Sequence, residues 1–160
     1  MGTQSTAISF LSAALAAPAT QAAEALQVCT PELVRIIDPP TAAVLDVVAD
    51  LAASGRQPAA DLVNAELLRR GAYAGHRGDL VRFRMINAAS PQQPPELLPE
   101  FASVVLASVF RARLRAAGEA LVAGADTAPE ADLWHLLVRE GAAIRGLRDR
   151  LTAVRGEAVA

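Results

Sequence analysis

The chain has 160 residues, 52 % of them hydrophobic and only 4 % aromatic, with 20 % charged and a formal net charge of -2. That length allows one domain with a real core, or a small domain plus an extension, and the high apolar fraction excludes disorder. All fifteen basic residues are arginine, so a P-loop NTPase and a Schiff-base enzyme, which both need a lysine amine, are excluded.

Alanine supplies much of the hydrophobic fraction and favours helix over sheet. An isoelectric point near 5.7 argues against a protein whose main task is gripping phosphates. The single cysteine, Cys29, cannot form an internal disulfide, which fits a reducing, cytoplasmic setting and a small buried side chain.

The predicted elements follow in chain order. Residues 6–17 form an apolar first segment that ends at Pro18 and reads as an amphipathic first helix. The stretch resembles a signal peptide, but residues 1–6 carry no Lys or Arg, so the positive start of a signal is missing. The same start, Met1-Gly2-Thr3-Gln4-Ser5-Thr6, formally fits a myristoylation pattern, a short motif with many false matches. No apolar run reaches the roughly 18 residues of a membrane span.

Residues 19–28 make a second segment anchored by Leu26 and Val28, and Thr30-Pro31-Glu32 reads as the start of a short turn through Ile36. Asp38-Pro39-Pro40 reads as a break. Residues 41–53 carry Val44, Leu45, Val47, Val48 and Leu51 at helical spacing, as expected of a helix central to a small core, and Ser54-Gly55 stops it. Residues 58–70 end at Gly71 with Arg69 and Arg70 in the last turn, where positive charge suits a helix C-terminus. Gly75 and Gly78 flank a turn, and residues 79–88 form the next segment. The proline-rich stretch 90–95 is the best internal boundary.

Beyond it, residues 96–122 run without a breaker apart from Pro99 and Gly118. Thr127-Ala128-Pro129-Glu130 reads as a capping box that opens a second long helix, to about Val154. Each would be on the order of 40 Å long, and the short loop between them makes an antiparallel hairpin. The fold expected is all-α, with a helical head at 1–92, a hairpin at 93–156 and a tail at 157–160. Leu98, Phe101, Val105, Val109 and Ala112 step by three or four. So do Leu137, Glu140, Ile144, Leu147, Leu151 and Val154, with Glu140 as the polar interruption. Val104, Leu106, Phe110 and Leu114 lie off that seam, so the extra apolar face packs on the head or meets another chain.

Motifs of chemistry are absent from the sequence. There is no G-x-G-x-x-G after a strand and no C-x-x-C, and His76 and His135 have no partner at metal spacing. Asp132, Glu140 and Asp149 read as solvated helix charges. The expectation is a protein that is not an enzyme and needs no cofactor or metal. One arginine cluster comprises Arg69, Arg70, Arg77, Arg82 and Arg84. Another comprises Arg111, Arg113 and Arg115 with Arg145, Arg148, Arg150 and Arg155. They read as a solvated face with pairs such as Glu66–Arg70, or as a contact for nucleic acid or an acidic partner. Only Tyr73 and Phe83 interleave as stacking aromatics.

The order of these pieces resembles the N-terminal domain of the hexameric bacterial replicative DNA helicase. Asp38-Pro39-Pro40 followed by the apolar run to Leu51 is similar to that family's Asp-Pro turn and helix. Val63-Asn64-Ala65-Glu66-Leu67-Leu68-Arg69-Arg70-Gly71 is similar to its next helix, and Ile86-Asn87-Ala88 to the end of the following one. Leu98-Pro99-Glu100-Phe101-Ala102 with Val104-Val105 resembles the start of its hairpin, and Phe10-Leu11 and Thr30-Pro31-Glu32 fit the first helices. The sequence departs from the family at Ala59-Ala60, at Gly75 and Gly78 in place of a glycine pair, and around Ile36-Ile37, where two residues are extra. It also departs at Leu106 and Ala107, which stand where the family is charged, and it has no counterpart of the ATPase domain.

The resemblance implies a collar-forming module in DNA replication, without ATP chemistry. Such a module would assemble as a homo-oligomer through its hairpin, bind helicase, primase or loader, or both. The contact residues expected are Phe101, Val105, Val109, Phe110, Leu114, Leu137, Ile144, Leu147 and Leu151. The alternative is a nucleic-acid-binding accessory protein using Arg69, Arg70, Arg77, Arg82 and Arg84.

Overall fold

Helix α1, Thr3–Ala16, lies at the centre of the molecule in the computed structural model, which describes residues 2–90 and 92–156. Ala7, Phe10, Leu11, Ala13, Ala14 and Leu15 are all buried, and α4, α6 and α7 pack around them. The expected amphipathic helix is therefore an interior one, apolar on nearly every side. It stops because Ala17, ahead of Pro18, is pushed to an extended conformation (φ -78, ψ 150). Pro91 and the expected tail at 157–160 lie outside the described residues.

Helix α2, Ala19–Val28, buries Ala22 and Leu26, and α3, Pro31–Arg35, starts as the sequence indicates, with Thr30 at its N-cap position. Helix α4, Pro39–Ala53, corrects the expected break at Asp38-Pro39-Pro40. Both prolines sit in its first turn, where a missing N–H costs nothing and the ring presets the helical φ. The apolar set from Val44 to Leu51 is buried beside α1, as its spacing predicts.

Helix α5, Ala60–Arg69, is followed by α6, Gly75–Ala89, which starts four residues earlier than expected. Gly75 opens it in a left-handed conformation (φ 67). Gly78 is inside the helix, not in a turn, and is buried. A 3-10 turn, Pro95–Leu97, then leads into α7, Leu98–Gly124, and α8, Glu130–Arg155. The proline-rich approach is tied down at two points. Ser12 Oγ accepts the Gln93 N–H at 2.9 Å, and Gln21 Nε2 donates to the Pro95 carbonyl at 2.8 Å. The capping box expected at Thr127–Glu130 does not form. Pro129 occupies the N-cap position without a side-chain bond, and the Ala128 N–H closes the turn on the Gly124 carbonyl at 2.8 Å.

Among the described residues all regular structure is helical, and no helix is long and apolar enough to cross a membrane. Leu98, Ala102, Val105, Leu106 and Val109 of α7, with Leu147 of α8, belong to the same buried cluster as α1 and α4. The first three turns of α7 thus close the core of residues 7–88.

Candidate protein-interaction surface

Helices α7 and α8 run side by side in opposite directions. Arg113 Nε donates to Glu140 Oε2 at 2.8 Å midway, Arg155 Nε donates to Ser103 Oγ at 3.2 Å at the base, and Gly124 approaches Leu133 at the tip. Arg150 Nη1 reaches the Val28 carbonyl at 3.3 Å and anchors α8 to α2. Glu140, expected to be solvated, is buried in the seam between two arginines, Arg113 and Arg139.

The expected contact residues divide three ways. Val105, Val109 and Leu147 are buried within the chain's own core, so they are corrected from surface to interior. A residue already packed against α1 has no face left for a partner. Phe101, Phe110 and Leu151 are half-buried and lean on that core, and Ile144 is half-buried on α8. Leu114 and Leu137 are exposed, at 51 % and 47 %. The sequence reading missed Trp134 and Val138, exposed at 65 % and 53 %. Trp134, Leu137, Val138 and Gly141 recur at i, i+3, i+4 and i+7, one face of a helix; Leu137, expected within the seam, is instead exposed at its edge beside Trp134 and Val138. That spacing is the signal by which they could have been found.

The arginines expected to contact nucleic acid are mostly engaged. Arg69 and Arg70 both donate to Glu66, at 2.8 and 2.7 Å through their Nε atoms, and Arg70 also holds Asp50 at 2.8 Å. These bonds hold the Glu66 carboxyl down at about 2. The Glu66–Arg70 pair is the one its spacing implies. The Arg82 guanidinium lies 5.0 Å from the Tyr73 ring centre, and Tyr73 donates its hydroxyl to Asn64 at 2.7 Å. Arg84 is buried, against the expectation of a surface contact, with its Nε on Asp38 Oδ2 at 2.9 Å. Arg77 is exposed and has no ion-pair partner among the described residues.

His76 and His135 are both exposed. Among the described residues, no group of three or more His, Cys, Asp or Glu side chains is placed to hold a metal ion. No family model, no curated protein and no solved structure matches the chain. What the geometry offers is a long helical pair, fixed at its base, with an apolar stripe on its outer face.

Proposed function

We propose that the chain is a non-catalytic module of the replicative-helicase N-terminal type, a compact helical head at 1–92 followed by a long antiparallel hairpin at 93–156. It acts in the cytoplasm in DNA replication. It self-associates through the hairpin as a dimer or larger homo-oligomer, or uses the same hairpin to bind helicase, primase or loader, or does both.

The replicative role rests on the resemblance of the motif order, and one observation supports the association. Leu114, Trp134, Leu137 and Val138 are each about half exposed or more, on the two hairpin helices, of which α7 also exposes Val104 and Val122. Large apolar side chains clustered at helical spacing mark a surface that meets another protein. The nucleic-acid alternative has less support, because Arg69, Arg70 and Arg84 are engaged by carboxylates of the chain itself.

The test is sedimentation of the wild-type chain against a Leu114→Asp, Leu137→Asp double variant. The half of each leucine still exposed contributes about 0.8–1.5 kcal/mol on burial, and a carboxylate in its place adds a desolvation cost, so Kd should rise at least tenfold. The wild type is expected to sediment as a dimer or larger, and the variant as a monomer with unchanged helicity. A wild-type monomer at high micromolar concentration, together with no capture of helicase or primase, overturns the proposal.

A further inference from the structure

Helices α3, α4 and α6 enclose an open groove of about 760 Å³ on the side of the head. Ile37, Pro39, Pro40, Ala43, Leu80 and Val81 line it with apolar surface, and Arg35, Arg77 and Arg84 stand around it with one acidic residue, Asp38, whose carboxylate is engaged by Arg84. Arg35 is held by Asp46, while Arg77 has no ion-pair partner among the described residues.

Arg84 is the unusual member. Its side chain is 91 % buried, since only 9 % is accessible. Its Nε is taken by Asp38, whose Oδ2 also accepts the Thr41 hydroxyl at 2.8 Å. No described acceptor takes its Nη hydrogens, yet no unbonded side-chain nitrogen is sealed from solvent. Those donors therefore keep access to solvent, Arg84 is one of the groove's lining residues, and its guanidinium lies 5.9 Å from the Phe83 ring centre. A guanidinium fixed through Nε, with its Nη edge free, suits a carboxylate.

The first two residues of α4 decide between carboxylate and phosphate. Helix N-termini cradle phosphate through free backbone N–H groups. Pro39 and Pro40 remove two of those donors and put apolar rings in their place. The groove therefore favours an anion carried on an apolar body over a sugar-phosphate chain.

We propose that this groove binds a segment of a partner protein in which an acidic side chain stands beside a bulky apolar one. The carboxylate meets the Nη edge of Arg84 with Arg77 at the rim, and the apolar side chain packs on Pro40 and Leu80. None of the lining residues belongs to α7 or α8, so this proposal stands apart from hairpin self-association.

The test is selection of a random 16-residue peptide display library on the immobilised wild-type chain, with affinities of enriched peptides measured by fluorescence anisotropy. Enriched sequences are expected to pair Asp or Glu with Leu, Phe or Trp. Arg77→Glu and Leu80→Asp, both at exposed positions, should each weaken binding at least tenfold, as should replacing the peptide's acid by its amide. The Leu114→Asp, Leu137→Asp variant should bind the same peptides unchanged. The proposal is overturned if no peptide is enriched, or if the enriched peptides lack the acidic and apolar pair. Indifference to both groove variants, or displacement by a single-stranded oligonucleotide that binds more tightly, overturns it too.

Discussion

A single missing methyl group decides how the chain turns from α5 into α6. A Cβ on Gly78 would stand 2.1 Å from the Tyr73 carbonyl carbon, and backbone cannot yield as a flexible side chain does. Gly78→Ala should therefore destabilise the fold by about 3 kcal/mol or more, at the upper end of overpacking costs. Gly146→Ala, in open space within α8, should stabilise it by about 0.5–1 kcal/mol through helix propensity. Urea titration of the two variants reads both signs, and equal effects would disprove the close-approach argument. Cys29 makes the second residue-scale case. Burial pushes its thiol up to about 12, against a smaller opposing pull from Arg150. At pH 8 a thiol with that pKa is ionised in only about one molecule in 10⁴. Ellman's reagent should then label Cys29 only after unfolding, and rapid native labelling would refute its burial. Because the folded value lies above the unfolded 9.0, the neutral thiol's contribution is complete below about pH 9 and is lost as pH rises toward 12. Local chemistry of this kind was partly legible beforehand. The Glu66–Arg70 pair follows from an i, i+4 spacing, whereas the Asp38–Arg84 pair joins residues 46 apart and has no local signature.

Helix ends follow the punctuation of the sequence where one residue fixes the backbone, as Pro18 does for α1 and Gly71 for the exit from α5. They depart from it where the same residue permits two outcomes. Pro39 and Pro40 read as a break because proline is barred from a helix interior, yet the first turn accepts it. Gly75 reads as flanking a turn, yet it is the first residue of α6, in a left-handed conformation. The α7–α8 seam poses a related ambiguity, because periodicity identifies Glu140 as an interruption without naming its partner. Arg113 reaches it from the facing helix and pins one register of the pair. Arg113→Ala should leave the buried carboxylate short of its main partner and cost about 1–3 kcal/mol. Glu140→Leu should extend the apolar seam and raise the melting temperature or leave it unchanged, because a hydrophobic replacement of a buried pair is often neutral or stabilising. Calorimetry of both variants checks this, and a larger loss for Glu140→Leu than for Arg113→Ala would reverse the argument.

The whole molecule does not come apart at its proline-rich joint. The all-helical class was legible from alanine content and 3.6-residue periodicity, and so were the two long terminal helices. The sharing of one core across residue 92 was one of two expected outcomes, since periodicity shows that a face is apolar but not whether the head or another chain covers it. That is why Val105, Val109 and Leu147 were read as partner contacts when they close the core around α1. A fragment ending at residue 92 loses Leu98, Val105, Leu106, Val109 and Leu147 from that core. Five such side chains contribute about 1.5–3 kcal/mol each on burial, which matches the entire stability of about 5–15 kcal/mol typical of a domain. The fragment should therefore melt without cooperativity and bind a hydrophobic dye. A second variant, with residues 118–135 replaced by a four-residue Gly-Ser turn, keeps all five core residues and loses Trp134 with the hairpin tip. It should unfold cooperatively while self-associating more weakly than the full chain. The same pair of measurements contains the decisive failure. Cooperative melting of the 1–92 fragment would show that the head closes its own core, and would return the buried face of α7 to the surface available for partners.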